Sequence, residues 1–96
     1  MKLVHVTFRF EYADAIDRIL DAHDVTDFVR VSMVQGRDRD GKHYGNQVHP
    51  GNMVVVQAQV PPARVDALLE DLRRFRDARP AHAHLRALVL PAERSL

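Results

Sequence analysis

The sequence predicts an α+β sandwich in which four strands and two helices follow the order β-α-β-β-α-β. Three observations carry this. Apolar residues fall at alternate positions over residues 2–10, 28–35, 53–60 and 84–90, which is strand spacing. They fall at helical spacing over residues 12–23 and from Pro62 to Ala78. The two halves of the chain also repeat the order strand, helix, strand.

In the first strand Val4, Val6, Phe8 and Phe10 share one face, and His5, Thr7 and Arg9 share the other. The period then changes, and Tyr12, Ile16, Ile19, Leu20 and His23 mark one side of a helix. Residues 25–27 are a short connection. In the second strand Val29, Val31 and Met33 are expected inward, with Arg30, Ser32 and Val34 opposite. Residues 36–52 break all periodicity and hold Gly36, Gly41, Gly45, Gly51 and Pro50. A loop of this length inside a small domain is a place for function, and its spaced glycines predict mobility until a ligand or partner binds. The third strand turns Val54, Val56, Ala58 and Val60 inward. Pro61-Pro62 ends it and opens the second helix, because proline suits a first helical turn. Val65, Leu68, Leu69, Leu72 and Phe75 form that helix's apolar stripe, and Pro80 prevents its continuation. Leu85, Ala87 and Val89 define the fourth strand, and residues 91–96 a short polar tail. One core of Val4, Val6, Phe8, Ile16, Leu20, Val29, Val31, Val54, Val56, Leu68, Leu69, Leu72, Leu85 and Val89 is expected.

The whole chain, residues 1–96, reads as a single ferredoxin-like domain. The solution usual for this element order is an antiparallel sheet ordered 4-1-3-2 with both helices on one face. Lys and Arg number 14 against 13 Asp and Glu, so no strong field draws nucleic acid or a membrane surface. There is no cysteine, which excludes disulfides and thiolate metal sites. No apolar run approaches the ~20 residues of a membrane span, and no signal peptide is evident, so a cytoplasmic protein without membrane insertion is expected.

The expected topology gathers chemistry at one end. The loop 36–52 leaves the end of the second strand, beside Arg9 at the end of the first and His82 and His84 at the start of the fourth. His43 and His49 lie in the loop itself, so four of the six histidines share this end, with His5 and His23 away from it. Imidazoles suit zinc, nickel and copper, and His82 and His84, two apart on a strand, would project together. His43, His49, His82 and His84 are therefore candidate ligands for a divalent transition metal. The plain alternative is that exposed loop histidines are simply solvated. Arg37, Arg39 and Lys42, flanked by glycines, are candidates for an anion, although Arg37-Asp38-Arg39-Asp40 also reads as a solvated turn with local ion pairs. Arg73, Arg74 and Arg76 complement the dipole of the second helix. No catalytic set is apparent and no enzyme is expected. The enzymatic alternative is a small dimeric α/β barrel with His5 on its open sheet face. That face mixes polar residues with Val34, Met53, Val55, Leu88 and Leu90, which suits contact between subunits.

The strand MKLVHVTFRF, the loop GRDRDGKHYGNQVHPGN, the strand NMVVVQAQVPP running straight into a helix, the segment DARPAHAH and the last strand LRALVLPAE resemble, in order and layout, the PII-like superfamily of PII signalling and divalent-cation-tolerance proteins. The resemblance covers nearly the whole chain. It implies a homotrimer whose sheets face a common centre, with ligands in clefts between subunits at the base of the long signalling-type loop. It implies a regulatory or sensor protein that binds a small ligand there, an adenine nucleotide in the PII proteins, and contacts a membrane transporter or enzyme through residues 36–52. Arg9, Arg37, Arg39, Lys42 and Gly45 are the ligand-binding candidates on this reading. A histidine-based metal-binding or metal-tolerance module is the alternative within the same superfamily.

Overall fold

The computed structural model describes residues 1–34, 36–38, 41–43 and 53–96; of Met33 and of residues 36–38 and 41–43 it describes the backbone. Strand β1 (Lys2–Arg9) leads through a 3-10 turn (Phe10–Tyr12) into helix α1 (Ala13–Ala22) and strand β2 (Phe28–Val34). Two short strands follow, β3 (Gly36–Asp38) and β4 (Gly41–His43). Strand β5 (Met53–Val60), helix α2 (Pro62–Ala78), a second 3-10 turn (Pro80–His82) and strand β6 (Arg86–Pro91) complete the fold.

The main sheet is antiparallel at each described pairing and has the order β2-β5-β1-β6. With the short β3–β4 ribbon set aside, this is the expected order 4-1-3-2. Val4, Val6 and Phe8 of β1 lie opposite Ala58, Val56 and Val54 of β5, so paired apolar residues form one continuous floor. Ile16 and Leu20 from α1, and Val65, Leu68 and Leu72 from α2, cover that floor. Leu85 joins the core, while Leu69 and Val89 are partly buried against it.

Helix α1 closes with a Schellman turn. Val25 N–H donates to the Leu20 carbonyl and Asp24 N–H to the Asp21 carbonyl, with Asp24 at φ 56° in the left-handed region. Val25 and Leu20 are both buried, which supplies the apolar contact such a turn favours. Beyond the turn, His23 Nε2 meets Asp71 Oδ2 at 2.6 Å and ties the end of α1 to α2.

The second strand corrects the sequence reading. Val29 and Val31 are not core residues: they are 63% and 50% exposed. They lie opposite Gln57 and Val55, on the sheet face away from the helices. Arg30, expected outward, lies opposite the core residue Val56 and donates to Asp17 of α1 at 2.7 Å. A long cationic stem can cover apolar surface while its head reaches a carboxylate, so Arg30 serves as the inner residue of an edge strand. An irregularity between Val31 and Val34 then brings Val34 opposite Met53, which is buried rather than displayed. Gly36–Asp38 and Gly41–His43, expected as plain loop, pair as the antiparallel β3–β4 ribbon.

Candidate functional site

The pairing register confirms which parts of the chain share an end of the sheet. Arg9, the last residue of β1, lies opposite Met53, the first of β5. Val34, the last of β2, lies opposite the same Met53. The chain therefore leaves the sheet after Val34 and rejoins it at Met53, opposite Arg9. The 3-10 turn at Pro80–His82 and the start of β6 lie at this end too, because β6 runs antiparallel to β1.

A ring cluster closes this end. Tyr12 stacks on His84 with ring centroids 5.3 Å apart, and Phe75 stacks on His82 at 4.0 Å. Tyr12 also stands edge-on to Phe75 and His82, at 5.8 and 4.7 Å. His82 and His84 do not project side by side from a strand, as their spacing suggested. His82 ends the 3-10 turn, His84 precedes β6, and both are 6% exposed. The reason is the helix end. Pro80 stops α2, and the last carbonyls of a helix have no partner within it. His82 Nδ1 donates to one of them, Phe75 O, at 2.7 Å. His84 Nδ1 donates to Ala81 O at 2.9 Å. A carbonyl only accepts, so both rings carry their proton on Nδ1.

Burial pushes the pKa of His84 below the ordinary imidazole value; the Ala81 carbonyl works against this, Arg9 and His82 reinforce it, and Glu11 opposes it. The stability consequence has a definite sign. The unfolded chain takes up a proton at about pH 6.5, whereas the folded chain resists it until lower pH. Stability is therefore fully present above the unfolded value and falls as pH drops below it toward the folded value. Urea midpoints measured across this range should decline for the wild type and decline less for His84→Phe. A profile that is the same in the two proteins would show that His84 does not contribute.

Two buried nitrogens at this end lack a hydrogen-bond partner, His84 Nε2 and Arg9 Nε. Of the remaining sequence candidates, Arg39, Gly45 and His49 lie outside the described residues. Arg37 and Lys42 occupy directly opposed positions of the β3–β4 ribbon, and His43 lies opposite Gly36. Among the described residues no group of three or more His, Asp or Glu is gathered where a metal ion could be held. His5 stands mid-strand, with Nδ1 3.4 Å from Gln57 Nε2.

Sequence reasoning missed two features. One is the ring cluster, for which the aromatic residue five before Pro80 and the histidine two after it were the available signal. The other is a groove of about 660 Å³ along the outer edge of β6, bordered by His5, Thr7, Arg76, Ala83, Leu85 and Arg86.

Solved structures share this architecture. The chain matches CPII, a nitrogen regulatory PII-like protein from Thiomonas intermedia K12 bound to ADP, AMP and bicarbonate, at a TM-score of 0.77 and 20% identity, over 92% of this chain and 81% of that one. It has the PII-like fold. A DUF3240 family protein from Shewanella baltica matches at a TM-score of 0.71 and 18% identity, over 98% of this chain and 91% of that one. A PII-like signaling protein from Thermus thermophilus matches at 0.63 and 13% identity, over 92% and 82% of the two chains. No family model matches the sequence, and no curated protein does. The likeness to these proteins is therefore one of fold, seen in structure and not in sequence. Among the described residues no helix is long and apolar enough to cross a membrane.

Proposed function

We propose that this protein is a divergent PII-like sensor: it binds an adenine nucleotide at the base of the 36–52 loop and signals through that loop to a partner such as a transporter or enzyme. The observation that carries the reading is the ribbon register. Arg37 and Lys42 are set directly opposite one another, at the segment that leaves the sheet beside Arg9. Two cationic residues at opposed register positions of a glycine-flanked ribbon suit a site that receives an anion. The groove beside β6 supports the reading, since its volume falls in the range of small-ligand sites and it carries Arg76 and Arg86. The protein acts as a regulator and not as an enzyme, in the cytoplasm.

A homotrimer completes the proposal. The sheet face away from the helices carries Val29, Val31, Leu88 and Leu90, all substantially exposed. Burying them between subunits would remove an apolar surface from water and bring neighbouring grooves together.

Calorimetric titration with ADP and ATP tests the nucleotide site. The wild type is expected to bind both, and an Arg37→Gln/Lys42→Gln variant to bind about tenfold more weakly, the loss of one or two charge-assisted contacts. Equal affinity in the two proteins would remove the ribbon cations from the site. No heat with either nucleotide would reject it.

A further inference from the structure

The edge of the sheet beside the groove carries unpaired backbone groups. Strand β6 pairs with β1 on one side, and the order β2-β5-β1-β6 leaves its other side at the margin of the sheet. Ala92 N–H donates to the Met1 carbonyl at 3.4 Å, one step past the pairing of Lys2 with Pro91. In an antiparallel ladder, directly opposed residues exchange both bonds at every second pair. The bonded pairs are therefore Leu3 with Leu90, His5 with Leu88 and Thr7 with Arg86. The neighbouring ladder agrees: Gln59, opposite Leu3, donates its N–H away from β1, to Asp27 O at 2.9 Å. The N–H and C=O of Ala87 and of Val89 consequently point outward from the sheet, and among the described residues none pairs with them. Leu85 N–H is taken by His82 O at 3.0 Å, and Pro91 has no N–H, so Ala87 and Val89 are the donors of this edge.

Both flanks of this edge are hollow. The groove of about 660 Å³ lies on one flank, with His5, Arg86 and Leu88 at its border. On the helix side a second hollow of about 200 Å³ is lined by Leu69, Leu72, Leu85 and Ala87. Arg76 borders both and Arg73 the second, and neither is lined by an Asp or Glu. Arg73 and Arg76 meet Glu70 and Asp77 at 2.6 and 3.0 Å on the exposed helix surface, pairs that are weak and open to exchange. An uncovered edge is a template for a further strand, and arginines on both flanks favour an acidic one. We propose that β6 takes an extended acidic segment of a partner protein as a fifth strand of the sheet. The segment's backbone exchanges bonds with Ala87 and Val89, and its side chains alternate between the two flanks. Apolar β-branched residues fall on the helix side against Leu69 and Leu72, and carboxylates on the outer side beside Arg86. The inference names a partner chemistry for the regulator proposed above and rests on that reading for its role, whereas the docking site stands on β6 alone.

The test uses the full chain and a capped, fluorescently labelled peptide of about six residues in which glutamate and valine alternate, with binding read by anisotropy. The wild type is expected to bind it, and to bind a lysine–valine peptide about tenfold more weakly or less. A glutamate–valine peptide methylated at its backbone nitrogens should lose a similar factor, because it cannot donate to the Ala87 and Val89 carbonyls. Hydrogen exchange should slow at the Ala87 and Val89 amides when the peptide is added and stay unchanged at Leu88, which already pairs with β1. Val89→Pro removes an outward donor without touching that pairing, and Arg76→Gln/Arg86→Gln removes the charge; each should weaken binding about tenfold. The methylated peptide tests the same edge on the unaltered chain should Val89→Pro fail to fold. Equal binding of the glutamate and lysine peptides, or of the methylated and unmethylated ones, would overturn the inference. So would Ala87 and Val89 amides already protected in the free chain, which would give the edge to a second copy. Peptide binding by a wild type that binds no ADP would support this inference and reject the nucleotide proposal alone. ADP binding without peptide binding would reject this inference alone, and displacement of the peptide by ADP would give the groove to the nucleotide and overturn it.

Discussion

Phe8→Ala should destabilise the protein by about 3–5 kcal/mol, the usual cost of removing a fully buried aromatic side chain. Phe8 has no exposed surface, and it belongs to the largest of the fully buried side chains. It lies opposite Val54, in the core shared with Ile16, Leu20, Leu68 and Leu72. Nothing polar waits to fill the space, so truncation leaves a cavity as well as a lost transfer term. A small domain has ~5–15 kcal/mol to lose, so the variant should unfold at a far lower urea concentration than the wild type. Phe10, two residues later, is 52% exposed, and Phe10→Ala serves as the control with little expected change. Similar losses from the two variants would contradict the placement of the core.

The second large effect concerns assembly. Leu88 is 63% exposed and Val31 50%, on the face of the sheet turned away from the helices. A Val31→Asp/Leu88→Asp variant would place charges where the proposed subunits meet, and buried unpaired charges are strongly unfavourable. Light scattering should give the wild type three times the chain mass of 11.0 kDa and the variant that mass alone. The fold of the isolated chain should survive, because neither side chain contributes to the core. A wild type of single-chain mass at micromolar concentration would remove the trimer.

Much of this architecture was legible in the residues. Strand β1, β5 and both helices carry their period without interruption, since one face of each meets a continuous core. The second strand shows what a period leaves open. Alternation separates two faces but does not say which is buried, and Val29 and Val31 looked like core only because they are apolar. The face was decided by the pairing with β5, where Arg30 falls opposite Val56 and finds Asp17. The β3–β4 ribbon was illegible because strands of three residues rich in glycine and charge have no period to show.

The candidate site was half legible. Element order alone brought Arg9, His82 and His84 to the end where residues 36–52 leave the sheet, and the register agrees. What the sequence concealed was the role of the two histidines. Pro80 forces a turn after α2, and the turn buries both rings and commits each Nδ1 to a carbonyl. Spacing on a presumed strand had made them look like a pair of exposed ligands. The helix end explains them instead, and it leaves His84 Nε2 as the unused atom.

A nucleotide bound at the loop base, as proposed, should act on the loop. Hydrogen exchange of the full chain with and without ADP tests it most directly, read at the amides of the β3–β4 ribbon, Gly36–Asp38 and Gly41–His43. Addition of ADP should slow exchange across the ribbon and at Arg9 while leaving the helix amides of α2 unchanged. Exchange in the ribbon that is identical with and without saturating ADP would reject a nucleotide site coupled to the loop.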